Sequence, residues 1–341
     1  MSLASFHKLL FIGLAVFLLA ACDRGLKTPI TISGPAQGTT YNISYLAGDY
    51  SNFRESFDSI FNKIDLSLST YDTTSIISRI NRNEPSIEVD PYFSTVFNKS
   101  VEVSNKTNGL FDITVGPIIN AYGFGFKKRE RVTDKLIDSL LTFVGYKKVR
   151  LVNNQVQKDI PQVMLDFNAI AQGYTVDVLA DFLDSKGIKN YMVEVGGELR
   201  AKGKNQNDSS WTVGIQIPSE DEAESAALYT RVKIHNKSMA TSGNHKRFYV
   251  EDGKKYSHII DPFTGYPAKN NLLSATVITN DCMTADAYAT SFMVMGLEKS
   301  KQFLAENKDL DLDVLFIYDD NGKMKTYRTK YFEQNEDSNF K

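Results

Sequence analysis

Apolar residues Phe57, Ile60, Phe61, Ile64 and Leu68 recur every three or four positions. That spacing lines one face of a helix and predicts one over residues 53–66. Further helices are predicted over Pro91–Asn105, Thr133–Phe143 and Ala169–Lys186. The last is closed by Gly187, the residue type that tolerates the left-handed turn after a helix end. Another helix is expected from about Asp286 to Met295. Alternating or β-branched runs bounded by glycine, asparagine and proline predict strands at Ile30–Ala36, Thr39–Leu46, Val149–Val152, Val163–Phe167, Tyr191–Val195, Trp211–Ile217, Tyr229–Ile234, Ser238–Ala240, Arg247–Val250 and Ser274–Ile278. A final hairpin pairs Val314–Tyr318 with Lys323–Tyr327 around Asp319-Asp320-Asn321-Gly322, where Asn-Gly suits a tight turn. Strands and helices do not follow a strict βαβ rhythm, so the expected class is α+β, mixed sheets with flanking helices.

The N-terminal end follows a different logic. A short polar start leads into an apolar run, Leu9 to Ala21, too short for a bilayer that takes ~20 apolar residues. It ends in Leu19-Ala20-Ala21-Cys22, small residues before a cysteine in the manner of a bacterial lipobox. The expected organisation is a lipoprotein signal peptide over 1–21, lipidation at Cys22, a tether over 22–29, one domain over 30–328 and a polar tail over 329–341. The expected location is the bacterial envelope, membrane-anchored by lipid and facing the periplasm or exterior.

Composition changes the picture in two ways. With 42% hydrophobic and 23% charged residues the chain is globular, and 39 Lys+Arg against 41 Asp+Glu leave no positive field for nucleic acid. The only cysteines are Cys22 and Cys282, so no disulfide framework exists. Cys282 beside an apolar segment reads as a small buried hydrophobe.

Candidate chemistry is concentrated in a few segments. Asp286 and Thr290 stand four residues apart on a predicted helix, which puts two hard oxygens on one face; such a pair can hold Mg²⁺ or simply bond locally. His258, at a strand end before Asp261-Pro262-Phe263-Thr264-Gly265, can act as a base, as can His245, and either can equally be structural. Val195-Gly196-Gly197-Glu198 and Ala240-Thr241-Ser242-Gly243-Asn244 read as strand-to-loop turns whose N–H groups would be open to a ligand, or as ordinary tight turns. Zinc-ligand spacing, a Rossmann fingerprint and a Walker loop are all missing.

Seven blocks, taken in order, resemble the ApbE-type FAD:protein FMN transferases. They are Leu68-Ser69-Thr70-Tyr71-Asp72-Thr73-Thr74-Ser75, Gly109 to Pro117, Leu165 to Tyr174, Val195 to Glu198, Ala240 to Gly243, His258 to Gly265 and Asp286 to Thr290. The resemblance implies an ApbE-like, T-fold-related architecture and a Mg²⁺-dependent enzyme that transfers FMN from FAD to a Thr or Ser hydroxyl, releasing AMP. It implies an acceptor protein that is a subunit of a membrane redox complex. It also implies metal ligation by Asp286, Thr290 and the Ala169 carbonyl. FAD would be held by Gln37, Ser69, Thr70, Tyr71, Asp112, Gln172, Gly196, Gly197, His258 and Ile259. His258 is then the expected catalytic base, with Asp261 as a candidate to orient it. The chain departs from the family pattern at Asn168, often Gly, and Gln172, often Lys. An FAD pyrophosphatase giving FMN and AMP, or a flavin-binding lipoprotein without turnover, would carry the same residues.

Overall fold

The computed structural model describes residues 28–48, 51–126, 129–244, 248–251 and 254–337. The signal segment, Cys22 and His245 lie outside the described residues.

Strands β1 (Ile30–Ala36) and β2 (Thr39–Tyr45) form a hairpin turned by Gln37-Gly38, both at positive φ. Helix α1 (Arg54–Leu68) buries Phe57, Phe61, Ile64 and Leu68, the stripe expected from their spacing. There follow α2 (Ile76–Asn81), α3 (Pro91–Lys106), α4 (Gly116–Ala121) and α5 (Asp134–Leu141). A small hairpin, β3 (Val149–Val152) with β4 (Gln155–Lys158), precedes α6 (Ala171–Ser185). Next come β5 (Tyr191–Val195) and β6 (Glu198–Lys202), then β7 (Trp211–Gln216), α7 (Glu222–Ser225) and β8 (Leu228–Ile234). The last third holds β9 (Lys237–Gly243), the hairpin β10 (Phe248–Glu251) and β11 (Lys254–Ser257), and β12 (Leu272–Thr279). It ends with α8 (Cys282–Met295), α9 (Leu297–Glu306), β13 (Asp313–Asp320), β14 (Lys323–Arg328) and α10 (Lys330–Asn335).

Eight strands make one sheet in the order β1-β2-β5-β6-β9-β12-β13-β14, with antiparallel pairing throughout. Alternation along the strands sends side chains to two cores. Ala275, Val277, Val314 and Phe316 face the α8 side, whereas Ile278, Leu315 and Ile317 join Trp211, Val213 and Val232 of the β7–β8 hairpin on the other. Helices α1 and α6 close over β1, β2 and β5. Because α8 lies between the sheet and the surrounding helices, it is buried almost all round. Its sequence therefore shows no single apolar stripe. A satellite cluster joins Ile118 and Tyr122 at α4 to Ile137 of α5, Val144 and Ile260.

Helices α2, α4, α7 and α9 and strands β4, β6 and β11 are not expected from sequence, and four further segments differ from their expected form. Val163–Phe167 alternates like a strand but is not paired in a sheet. The Asn81 side chain bonds both the N–H and the carbonyl of Leu165 at 2.8 Å, and the Asp166 N–H donates to the Ile113 carbonyl. Residues 240–243 are not a turn but the end of β9, paired with β12 along one edge, whereas the β6 pairing on the other edge stops at Met239. Helix α8 starts at Cys282, four residues early, because the Asp281 carboxylate caps it by accepting from the Thr284 N–H at 2.8 Å. The polar tail contains α10, whose Phe332 is 1% exposed against the β7–β8 side of the sheet. Glu336 continues the contact by accepting from the Thr230 hydroxyl at 2.6 Å.

Candidate active site

A cleft of about 260 Å³ opens where β9, α8 and the start of α6 meet the segment 110–119 and the loop after β11. Its lining brings together Asp112, Asn168, Ala169, Gln172, His258, Ile259, Asp286 and Thr290, which come from four separated stretches of chain.

The α6–α8 contact sets the acidic end of this cleft. Gly173 sits where any Cβ would lie 2.4 Å from the Cys282 carbonyl oxygen and 2.7 Å from the Asp286 Cβ. Only glycine lets the two helices approach so closely. Asp286, 5% exposed, accepts from the Gly173 N–H at 3.0 Å. Burial raises its carboxyl to a pKa of about 7, the Gly173 N–H opposing the shift. In return, the Asp177 carboxylate of α6 accepts from the Cys282 and Met283 N–H groups at 3.0 and 2.8 Å, capping α8. Each helix thus supplies a carboxylate to the N-terminal turn of the other, where the helix dipole favours negative charge. Thr290, one turn beyond Asp286, shares a 2.9 Å hydrogen bond with the Ser242 hydroxyl of β9.

The opposite wall is held by Asp112. Its Oδ1 accepts from the Thr114 N–H and hydroxyl at 2.7 and 2.5 Å, and its Oδ2 from the Tyr146 N–H at 2.8 Å. Desolvation raises this carboxyl, opposed by those same bonds. His258 and Ile259 follow β11 into the cleft. The imidazole also meets Phe124 edge-on, 6.2 Å between centroids. Asp261 Oδ1 accepts from the Phe263 and Thr264 N–H groups, which ties that oxygen to its own turn.

The remaining expected FAD contacts lie outside the cleft lining. Gln37 donates to Thr175 and Asp65 at 3.0 and 3.3 Å. Ser69 accepts from the Tyr71 and Asp72 N–H groups, Thr70 is buried, and Tyr71 is exposed. Gly196 and Gly197 turn β5 into β6, and Gly196 packs so tightly on Gln172 that a Cβ would lie 2.3 Å from its Nε2. Three contributors, Ser242, Gly173 and Glu198, stand inside the segments quoted from sequence but were given no role of their own there. Glu198 is a buried acid that also lines the cleft. A glycine inside the first turn of a helix was the available signal for Gly173, whereas nothing local marks Glu198 after two glycines as buried.

Fold and cleft together define an α+β enzyme. The model of the ApbE family matches residues 37–316. A Vibrio cholerae protein named FAD:protein FMN transferase is 36% identical over 327 residues, covering 94% of this chain and 96% of that protein. A protein of the same name from Escherichia coli is 31% identical, covering 96% and 97%. Among solved structures, the flavin transferase ApbE from Vibrio cholerae superposes with a TM-score of 0.81 at 36% identity, covering 90% of this chain and 99% of that one. The Pseudomonas stutzeri flavinyl transferase ApbE, apo form, gives 0.80 at 28% identity, covering 90% and 96%. The chain belongs to the ApbE family.

Proposed function

We propose that this chain is an FAD:protein FMN transferase that moves the FMN moiety of FAD onto a Thr or Ser hydroxyl of an acceptor protein. One observation carries the reading: a single cleft unites the buried Asp286 and the half-buried Thr290 and Ala169 with a histidine, within a chain whose relatives bear that name. The acceptor oxygen bonds to the FMN phosphorus, the pyrophosphate P–O bond breaks, and AMP leaves with the electron pair. His258 takes the hydroxyl proton, a role suited to an imidazole whose ordinary pKa is ~6.5.

The donor set fits Mg²⁺. Asp286, Thr290 and the Ala169 carbonyl offer only hard oxygens. No cationic side chain among the described residues pairs with the buried Asp286 carboxylate. When bound, the cation offsets phosphate charge and orients the pyrophosphate. The chain's own groups do the rest: Ser242 holds the Thr290 hydroxyl, Asp112 braces the wall, and His258 manages the proton.

The proposal extends to the membrane. Leu19-Ala20-Ala21-Cys22 supports a lipid anchor at Cys22 in the bacterial envelope, facing the periplasm or exterior, where an acceptor subunit of a membrane redox complex would be within reach. The test incubates the protein with FAD, Mg²⁺ and a flavin-free redox subunit and follows the mass of the subunit. An FMN-sized increase with FAD, and none with FMN or riboflavin, is the expected outcome, because only the dinucleotide carries an AMP leaving group. Release of FMN and AMP with no modified acceptor would make the chain a pyrophosphatase instead.

A further inference from the structure

We propose that the end of the sheet where β1 begins rests on a bilayer surface bearing anionic headgroups, with the cleft held at the far end. This rests on the lipid anchor proposed at Cys22. Residues 22–29 are the expected tether, so Ile30 lies at most about 28 Å from the anchor even with that chain fully extended. Ladder pairing carries the level of Ile30 across the sheet: Ile30 lies opposite Tyr45, Tyr45 opposite Tyr191, and Tyr191 opposite Lys202. Asn190 fastens the same end, its main-chain carbonyl accepting from the Leu46 N–H at 2.9 Å and its side-chain oxygen from the Lys204 N–H at 2.8 Å. The cleft belongs to the other end. Gln172, in the first turn of α6, and Glu198, just after the Gly196-Gly197 turn, both line it. Helix α6 runs from there to Ser185, next to Lys186, and its 15 residues set the two ends about 22 Å apart.

The reach of the tether alone would let the domain tip either way, and charge selects the orientation. At the end that holds Ile30, Lys186 and Lys189 are exposed, and neither has an ion-pair partner among the described residues. Lys202 and Lys204 beside them are balanced by Asp184 and Asp208 at 2.8 and 3.0 Å. Asp181, one turn back along α6, is balanced by Arg200 at 3.0 Å. In the tether, Arg24 and Lys27 outweigh Asp23. The cleft end has the opposite character: Asp112, Asp166, Glu198 and Asp286 line it, and no Lys or Arg does among the described residues. An anionic surface therefore draws one end and repels the other. The lipid holds the chain at the bilayer and the lysines turn it, so the cleft meets an acceptor hydroxyl on a domain that projects about 20 Å from the headgroups.

The test uses the full chain, purified with its lipid from a bacterial membrane and placed in vesicles of phosphatidylethanolamine with phosphatidylglycerol, or of phosphatidylcholine alone. A fluorophore is attached at Gln206→Cys, beyond Lys204, or at Thr40→Cys, beside the Gln37-Gly38 turn; both positions are exposed, and Cys282 is buried away from the reagent. Thermal unfolding confirms that each variant is folded. A quencher carried on the lipid headgroup is expected to quench position 206 and spare position 40 in the anionic vesicles. Lys186→Gln combined with Lys189→Gln, at about 5-fold per lysine, should weaken that preference about 25-fold, and neutral phosphatidylcholine should abolish it. Equal quenching at both positions in anionic vesicles, or a preference that survives the double substitution, overturns the proposal and leaves the anchor intact. A mass spectrum without acyl chains on Cys22 overturns the anchor reading instead, and with it this orientation.

Discussion

The Gly173 N–H donates to Asp286 Oδ2 at 3.0 Å, although in a continuing helix it would bond the carbonyl four residues back, that of Ala169. No main-chain N–H among the described residues takes its place at Ala169. The bond to Asp286 occupies an N–H of the first helical turn, while Ala169, which precedes the helix, lines the cleft with no main-chain donor on its carbonyl among the described residues. Gly173→Ala is therefore expected to force α6 from α8, because its Cβ would meet main-chain oxygen rather than a movable side chain. Chemical denaturation should show a loss of roughly 1–3 kcal/mol, and Mg²⁺ titration a weakened metal response.

Asp286→Ala removes the charged member of the donor set and should lower turnover at least ~10²-fold. Thr290→Ala, which loses a neutral donor, should cost less and be partly rescued by raised Mg²⁺. Titrating the rate against Mg²⁺ concentration checks both. Undiminished activity of Asp286→Ala in chelator would remove this residue from the metal site.

His258→Asn keeps a polar side chain in the cleft but abolishes the base. Turnover should fall by ~10² to 10⁴ and the acidic limb of the pH–rate profile should flatten. FAD affinity should change little. Lost affinity with normal turnover at saturation would mark His258 as a flavin contact.

Asp177 links stability to pH. Burial raises its carboxyl from 3.8 to about 6, despite the N–H groups of Cys282 and Met283 and the Arg200 guanidinium 3.2 Å away. A raised acid binds more protons in the folded state, so its contribution is full below about pH 4 and is lost as pH rises through about 6. Asp177→Asn, which cannot ionise, should show a flatter stability profile over that interval, the difference reaching at most about 3 kcal/mol. Denaturation midpoints measured from pH 4 to pH 7.5 decide it; parallel profiles would mean that Asp177 is ionised throughout.

Local pattern alone was enough for elements whose partners are near in sequence or whose exposed face is broad. The α1 stripe is one case. The Asn321-Gly322 turn is another, with φ values of 55° and 80° that join β13 to β14. Sequence also placed Asp286 and Thr290 on one helical face, and the ordered blocks pointed to the family that the relatives confirm. Where the chain meets distant partners, the pattern misled. Val163–Phe167 carries the alternation of a strand, yet an asparagine side chain from α2 takes its backbone bonds. The small polar run 240–243 looks like a loop but extends β9 along β12, and Phe332 finds its core only because β7 and β8 lie across from it. Periodicity records which residues leave water, a property of each side chain and its neighbours in sequence. Which group satisfies a buried N–H, carbonyl or carboxylate depends on segments a hundred residues away, as with Gly173 and Asp286, and that choice is made only when the helices and sheet close on one another.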